Sequence, residues 1–357
     1  MSLKKLIYYL LNPTVLFKRF IIFFSTESSD NFYLTLLGSS STKKKNFNAI
    51  YDLNYNSRSF NFIPFLILCE IYRKKNAFDY FNIYILENNL PKKLQHQEFV
   101  YSLGENLNYR NLNLFPALCS LLPNCKSFHY IFERDKFLKE NKFKDVFPKN
   151  YYEKPAINKG FDQPLHKFLC QNQFENFLRV PENINKTFNQ INKQKKLRKI
   201  TFTIRNSKFD IIRNTNQKQV MNIIKQFESE FEILIIPDVE NPELIKELEK
   251  FVTNVSMAAC YNLAFRLKLY ETSFLNIFAD SGPFELVVYS KKISYIFLKS
   301  IQNSLIFQNN YDISDTYDSN SQFKWATKKQ IVISEENNND SYIIDQINTF
   351  IKLYENN

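Results

Sequence analysis

Glycine is nearly missing from this chain, with four residues in 357. A sequence so poor in glycine has little with which to build a phosphate-cradling loop, and neither a P-loop nor a GxGxxG pattern occurs. Histidine is as scarce. None of the three (His96, His129, His166) stands at metal-ligand spacing from another His or a Cys, which argues against zinc chemistry, and no HExxH is present. The lack of GxSxG leaves a serine hydrolase without support. The five cysteines (Cys69, Cys119, Cys125, Cys170, Cys260) are odd in number, show no CxxC spacing and fall mostly inside apolar runs. They read as reduced core thiols of a cytoplasmic protein.

Long hydrophobic runs are missing too. Residues 1–25, MSLKKLIYYLLNPTVLFKRFIIFFS, are basic and apolar, but Asn12-Pro13 and Lys18-Arg19 interrupt them. No stretch of about 20 apolar residues survives to cross a membrane, and no small-residue cleavage site follows to mark a signal peptide. The segment either lies against an anionic membrane surface, as a peripheral contact, or packs on the protein as two short helices.

What is present is a globular composition, 44% hydrophobic and 16% aromatic, in a chain long enough for two domains. The formal charge of +11 fits an anionic partner such as a nucleotide, a phospholipid surface or nucleic acid. Heavy use of Asn, Lys, Ile, Phe and Tyr with little Gly is also what A+T-rich coding produces, which halves the weight of that charge. No RNP-type aromatic motif or zinc finger is present, so nucleic acid is not an expected partner.

Periodicity predicts alternating strands and helices. In the first half, strands fall at 47–53, 80–86 and 127–133 and helices at 59–75 and 114–122. A proline-interrupted stretch, 149–198, makes the connection, with a helix or linker at 185–194 and a basic run at 193–199 that reads as a solvated helix end. Strands at 199–204, 231–236, 274–279 and 293–298 and helices at 216–227, 242–251 and 256–271 follow. An edge strand at 330–334 and an amphipathic helix at 340–354 close the chain. The expected organisation is a basic apolar segment (1–25), two α/β domains (26–184 and 185–299) with mainly parallel sheets, and a C-terminal strand and helix (300–357).

Ligands of open α/β folds collect at the carboxyl ends of the strands, which selects the candidate site residues. Asp280-Ser281-Gly282-Pro283 interrupts an apolar strand before a second apolar run. Gly tolerates unusual backbone angles and Pro fits a first helical position, so the turn reads as a strand-to-helix elbow. Its amides and the helix dipole either hold a phosphate or carboxylate or bind nothing. Arg205 and Arg213 share the loop after strand 199–204, where guanidiniums hold diphosphates bidentately. Asn206, Asn214 and Asn216 flank them as sugar ligands, helix caps or loop ties. Asp238 stands just past the next strand. Asn262, Arg266 and Tyr270 share a helix face, and a buried Arg266 would need Glu271, Asp280 or a ligand phosphate as partner. Asp52 ends the first strand, either as a turn cap or as a base for an acceptor hydroxyl. Glu70 is expected to pack against Arg73 or Arg58.

The stretch TIRNSKFDIIRNTN, the helix YNLAFRLKLYE and the turn LNIFADSGPFEL, in this order, resemble the C-terminal half of a bacterial glycosyltransferase-like family of surface-polysaccharide loci. The segments IYDLNYNSRSFNFIPFLILCEIYRK and NIYIL are similar to its N-terminal half, and the DSGP turn resembles the nucleotide-sugar turn of lipopolysaccharide heptosyltransferases. The resemblance implies an α/β fold of two Rossmann-like domains facing a central cleft, the GT-B architecture. It also implies a nucleotide-diphospho sugar as donor substrate, a glycan or lipid-linked acceptor, and no cofactor or bound metal. Arg205 and Arg213 would lie near the phosphates, Ser281 and Gly282 would offer turn amides, and Asp280 would face the donor. Two departures stand out. No glycine-rich loop opens the first domain, Gly38 standing in LLGSSSTKKK, and Glu285 occupies the place of a heptosyltransferase His. The alternative is a noncatalytic α/β protein that binds a nucleotide or a partner.

Overall fold

A computed structural model describes residues 46–87, 110–153, 161–174, 176–191, 197–207, 211–238, 254–299, 316–318 and 320–355. The basic segment 1–25 and the helix expected at 242–251 lie outside them. Among the described residues, one compact unit takes Arg58 and all before it, Pro64 up to residue 87, and Asn124–Leu165. The other takes Ser59–Ile63, residues 110–123 and all from His166 on.

The first unit is built on short strands rich in aromatic and β-branched residues. In chain order the elements up to its last strand are β1 (Asn46–Asp52), helix α1 (Phe62–Lys75), β2 (Tyr80–Leu86), helix α2 (Phe115–Ser120, a part of the other unit), β3 (Cys125–Ile131), helix α3 (Arg134–Glu140) and β4 (Val146–Phe147). The four strands form one parallel sheet in the order β3-β2-β1-β4. Buried on both faces, β1 carries Phe47, Ala49, Ile50 and Tyr51 at 1% exposure or less, as the continuous apolar run of a covered parallel strand requires. Helix α1 is apolar nearly all round from Phe62 to Cys69, Pro64 stands in its first turn, and Arg73, Lys74 and Lys75 complement the dipole in its last. It begins three residues later than the periodicity predicts. Ser59 and Phe60 turn the chain instead, their carbonyls accepting from the amides of Phe62 and Ile63. Phe47 stacks on Phe81, and Phe65 packs edge-on against Phe161. Helix α2 belongs to the second unit, where Phe115 meets Phe62 edge-on at 4.9 Å.

After α4 (Asp162–Gln171) and α5 (Glu182–Ile191), the second unit continues through β5 (Lys199–Thr203), α6 (Gln217–Phe227), β6 (Glu232–Ile236), α7 (Met257–Tyr261), α8 (Leu263–Thr272) and β7 (Leu275–Ala279). It closes with β8 (Tyr295–Leu298), β9 (Gln330–Ile333) and α9 (Asp340–Glu355). All five strands are parallel, in the order β6-β5-β7-β8-β9, so β9 is the edge strand the sequence predicts. Val220, Ile223, Ile224 and Phe227 of α6 and Ile343, Ile347 and Phe350 of α9 pack on Ile200, Phe202, Ile233, Leu275 and Ile277 of the sheet. Each of these side chains contributes roughly 1.5–3 kcal/mol by leaving water. The single helix expected at 256–271 is two. Asn262 is extended, and its side chain accepts from the amide of Phe265 at 2.9 Å, ending α7 and capping α8. Arg198, near the end of the basic run, lies over the rings of Phe231 and Phe274. Among the described residues no helix is long and apolar enough to cross a membrane.

Candidate functional site

The carboxyl edge of the second sheet gathers charge strand by strand. Thr203 of β5 pairs with Ile236 and with Phe278, and counting on two residues sets Arg205 level with Asp238 on one side and Asp280 on the other. Ala279 pairs with Leu298, so one further residue sets Asp280 level with Lys299. In spatial order the row reads Asp238, Arg205, Asp280, Lys299, with the sign alternating at every strand. Asp238 Oδ2 accepts from the amide of Asn206 at 3.1 Å, which ties the ends of β5 and β6.

The loop after β5 folds back on itself. Arg205 and Thr215 are joined twice: the amide of Arg205 donates to Thr215 Oγ1 at 2.8 Å and the amide of Thr215 to the carbonyl of Arg205 at 2.9 Å. Asn214 clasps Ser207, accepting from its amide at 3.0 Å and donating to its carbonyl at 2.9 Å. Asn216 caps α6 by accepting from Gln219. Asn214 is thus a loop tie and Asn216 a helix cap, Asn206 is bonded through its backbone amide, and the loop so held carries Arg213 in the short 3-10 turn Ile211–Arg213. Arg213 Nη2 donates to Asp280 Oδ1 at 2.8 Å, and both side chains are largely buried. The arginine loop and the elbow, distant in sequence, meet at this ion pair.

The elbow differs from its expected form. Gly282–Leu286 is one 3-10 turn rather than the start of an α-helix, so a helix dipole adds little there. The amide of Phe284 is already given to the carbonyl of Ser281 and Pro283 has none, which leaves the amides of Ser281 and Gly282 as the turn's donors. Phe284 pins the turn by stacking on Phe297, centroids 4.0 Å apart and planes within 3°. Gly282 does not have a positive φ. It is needed for space, since a Cβ there would lie 2.5 Å from Cδ2 of Phe60, whose ring stands against the turn.

Lys299 and Tyr317 are members of this cluster that the sequence reading missed. Lys299 Nζ lies 4.0 Å from the centroid of the Tyr317 ring. Burial pushes the Lys299 ammonium below its ordinary range and the Asp280 carboxylate pulls it back. Tyr317 is raised by burial, then by Asp280 and Glu285. The signal available was position alone, a lysine directly after the strand at 293–298.

Two expected members sit elsewhere. Arg266 is 3% exposed, and its guanidinium reaches neither carboxylate proposed for it. Nε donates to the carbonyl of Ala259 at 2.5 Å and Nη2 to that of Cys260 at 3.3 Å, so Arg266 closes the carbonyl end of α7. Glu271 lies at the end of α8 that feeds into β7, while Asp280 follows the other end of that strand; burial raises the pKa of the Glu271 carboxyl, and Lys268 and Lys292 only partly counter it. Tyr270, on the same helix, bonds Thr203 Oγ1 at 2.7 Å.

In the first unit Asp52 ends β1 at 1% exposure. Its carboxylate receives Arg134 Nη2 at 2.8 Å and Nε at 3.1 Å, the Tyr151 hydroxyl at 2.5 Å and the amide of Asn54 at 3.0 Å. Burial, followed by the Asp52 charge, drives the Tyr151 phenol far up. Both oxygens are engaged, the setting of an anchoring ion pair rather than of a base open to a substrate. Beside it Glu87 pairs with Arg58 and accepts from the Tyr130 hydroxyl at 2.5 Å. Glu70 pairs with Arg73 at 2.8 Å, the first of its two expected partners.

Neither a protein-family model nor a curated protein sequence matches the chain. Solved structures do. The glycosyl transferase family 9 protein of Veillonella parvula matches with a TM-score of 0.52 at 11% identity, over 88% of this chain and 98% of that one. The ADP-heptose lipopolysaccharide heptosyltransferase II of E. coli gives 0.49 at 10%, over 87% and 100%. E. coli heptosyltransferase WaaC with ADP gives 0.45 at 11%, over 87% and 98%. At such identities the likeness is one of fold, and the first match carries it: the chain is a GT-B-like α/β protein built on two parallel sheets.

Proposed function

We propose that this protein is a glycosyltransferase that moves a sugar from a nucleotide-diphospho-sugar donor to a glycan or lipid-linked acceptor in surface-polysaccharide synthesis. The observation that carries the reading is the Arg213–Asp280 ion pair, which joins the arginine loop to the Asp280–Pro283 turn at the ligand edge of the second sheet. The second α/β unit is the donor half. Arg205 and Arg213 hold the diphosphate, and the Ser281 and Gly282 amides and Asp280 line the same edge.

In the reaction an acceptor hydroxyl attacks the anomeric carbon and gives up its proton to solvent, the bond to the diphosphate oxygen breaks, and the nucleoside diphosphate leaves with the electron pair. The arginines stabilise the charge that grows on the departing phosphate, a contribution made without a bound metal. The first unit serves the acceptor. There Asp52, locked by Arg134 and Tyr151, orders the strand end rather than carrying the acceptor's proton. The protein works in the cytoplasm, with its basic N-terminal segment as a peripheral contact to an anionic leaflet.

Calorimetric titration of the full chain with UDP, ADP, GDP and CDP, followed by assay of the matching nucleotide sugars for donor hydrolysis and transfer, tests the reading. One nucleoside diphosphate should bind, and its sugar should turn over. Binding with no turnover of any donor would reassign the protein as a nucleotide-binding module, and no binding by the folded chain would remove the donor site altogether.

A further inference from the structure

The carboxyl edge of the first sheet holds an aromatic ring in water. Ile131 pairs with Leu86 and accepts from the amide of Glu87 at 2.8 Å, so Phe132 leaves β3 level with Glu87 on the neighbouring strand. Phe132 is 76% exposed, more than any other large apolar side chain among the described residues. Tyr130 backs it, with ring centroids 5.0 Å apart, and the Tyr130 hydroxyl donates to Glu87, which pairs with Arg58. A braced ring at the ligand end of a parallel sheet offers a flat apolar face to whatever binds there.

Charge selects the ligand. From the last residue of each of the four strands to about six residues beyond, the described chain carries Asp52, Glu87, Glu133, Asp135 and Glu153 against Arg58, Arg134, Lys136 and Lys149. Acids outnumber bases by one here, although the whole chain is at +11. Each nitrogen of Arg134 already donates to a carboxylate, Nε and Nη2 to Asp52 and Nη1 to Asp135, and Arg58 is paired with Glu87. A phosphate would meet no excess of positive charge at this edge. A neutral sugar fits it better. A pyranose ring turns its C–H bonds to one side, where they meet the negative face of an aromatic ring, and its hydroxyls donate to carboxylates.

We propose that Phe132 is the platform on which the acceptor's sugar stacks, and that this sugar is neutral, its hydroxyls donating to neighbouring carboxylates such as Glu133. The inference rests on the reading of the first unit as the acceptor half. Saturation-transfer NMR on the full chain tests it, with the methyl glycosides of glucose, galactose, mannose and N-acetylglucosamine and with the same sugars phosphorylated on the primary hydroxyl. Wild type, Phe132→Ala, Phe132→Leu and Phe132→Trp are compared, thermal melts establishing that each is folded, and wild type is also titrated with UDP, ADP, GDP and CDP. At least one neutral glycoside should bind, with the C–H protons of one ring face most saturated, and its phosphorylated form should bind less. Its affinity should fall about fivefold or more in Phe132→Ala and in Phe132→Leu, which is apolar but has no π face, and should survive in Phe132→Trp. No neutral glycoside bound by the folded wild type, an affinity unchanged in Phe132→Ala, or tighter binding of the phosphorylated sugar would each overturn the proposal, and a nucleotide still bound in that case would leave the donor reading standing. Sugar binding that depends on Phe132, with none of the four nucleotides bound, would keep the platform and remove the transferase reading.

Discussion

Arg213 and Asp280, 67 residues apart in sequence, are joined by a hydrogen-bonded ion pair of 2.8 Å at the carboxyl edge of the second sheet. Arg213→Ala should therefore weaken nucleoside-diphosphate binding by about 1–3 kcal/mol, the range for a lost charge-assisted bond. Calorimetry on the folded variant measures this, and an affinity equal to wild type would show that the guanidinium serves only Asp280.

The Gly282 turn makes a steric prediction. An alanine Cβ would fall 2.5 Å from the Phe60 ring, while the backbone angle itself accepts any L residue. Gly282→Ala should lower stability by about 1–3 kcal/mol through overpacking. In a Phe60→Ala background the same change should be close to neutral. Denaturant midpoints of the four proteins decide it, and equal penalties in both backgrounds would place the strain in the backbone instead.

Asp52 and Arg134 form a pair in which the acid is 1% exposed and the base 12%. Arg134→Met leaves that carboxylate buried with Tyr151 as its remaining side-chain partner and should cost about 3–5 kcal/mol. Adding Asp52→Asn removes the stranded charge and should recover part of the loss. A double variant no more stable than Arg134→Met would mean that Arg134 matters for packing and not for charge.

His166 gives a pH dependence. Burial pushes its imidazole from 6.5 down to about 4. The ring bonds Thr316 through Nδ1 at 3.1 Å, faces the Tyr289 hydroxyl through Nε2 at 3.5 Å and packs against Trp325, and burial sets the direction of the shift. Because the folded-state value is the lower one, the unfolded chain takes up the proton first as the pH falls. Stability is complete above about pH 6.5 and declines towards pH 4, by about 3 kcal/mol from this residue. The difference between wild type and His166→Gln, measured by denaturation at pH 7 and at pH 4, isolates it from the carboxylates common to both. A difference that stays constant across that range would show the ring to be protonated, or exposed, in the native state.

Much of the fold was legible because buried parallel strands announce themselves as short apolar runs. β1, β2, β3, β5, β6, β7, β8 and β9 lie within two residues of where alternation and composition put them, and only the two-residue β4 was not foreseen among the described strands. Local hydrogen bonding was harder to see. Nothing in YNLAFRLKLYE says that Asn262 will leave the helix to cap the next one, since an asparagine is tolerated at either place. Arg266 was read as needing a carboxylate, yet backbone carbonyls at a helix end satisfy a guanidinium equally well. At the carboxyl edge of the second sheet, strand-end logic selected Arg205, Arg213 and Asp280, which the fold brings together, and passed over Lys299, to which the same logic applied. For Gly282 it found the right position for the wrong reason. Backbone freedom is a property of one residue and can be read from a sequence, whereas the approach of Phe60 depends on tertiary packing.

The alternation along the sheet edge has an electrostatic outcome of its own. Asp238, Arg205, Asp280 and Lys299 sum to zero, so the chain's +11 excess is not concentrated in this row. A lure for anions would pull them in from a Debye length away and fade as salt is added. With Arg213 added the edge carries one net positive charge, so the row itself contributes little long-range pull, and any salt dependence in a nucleotide's arrival should come from Arg213 and the rest of the chain's +11.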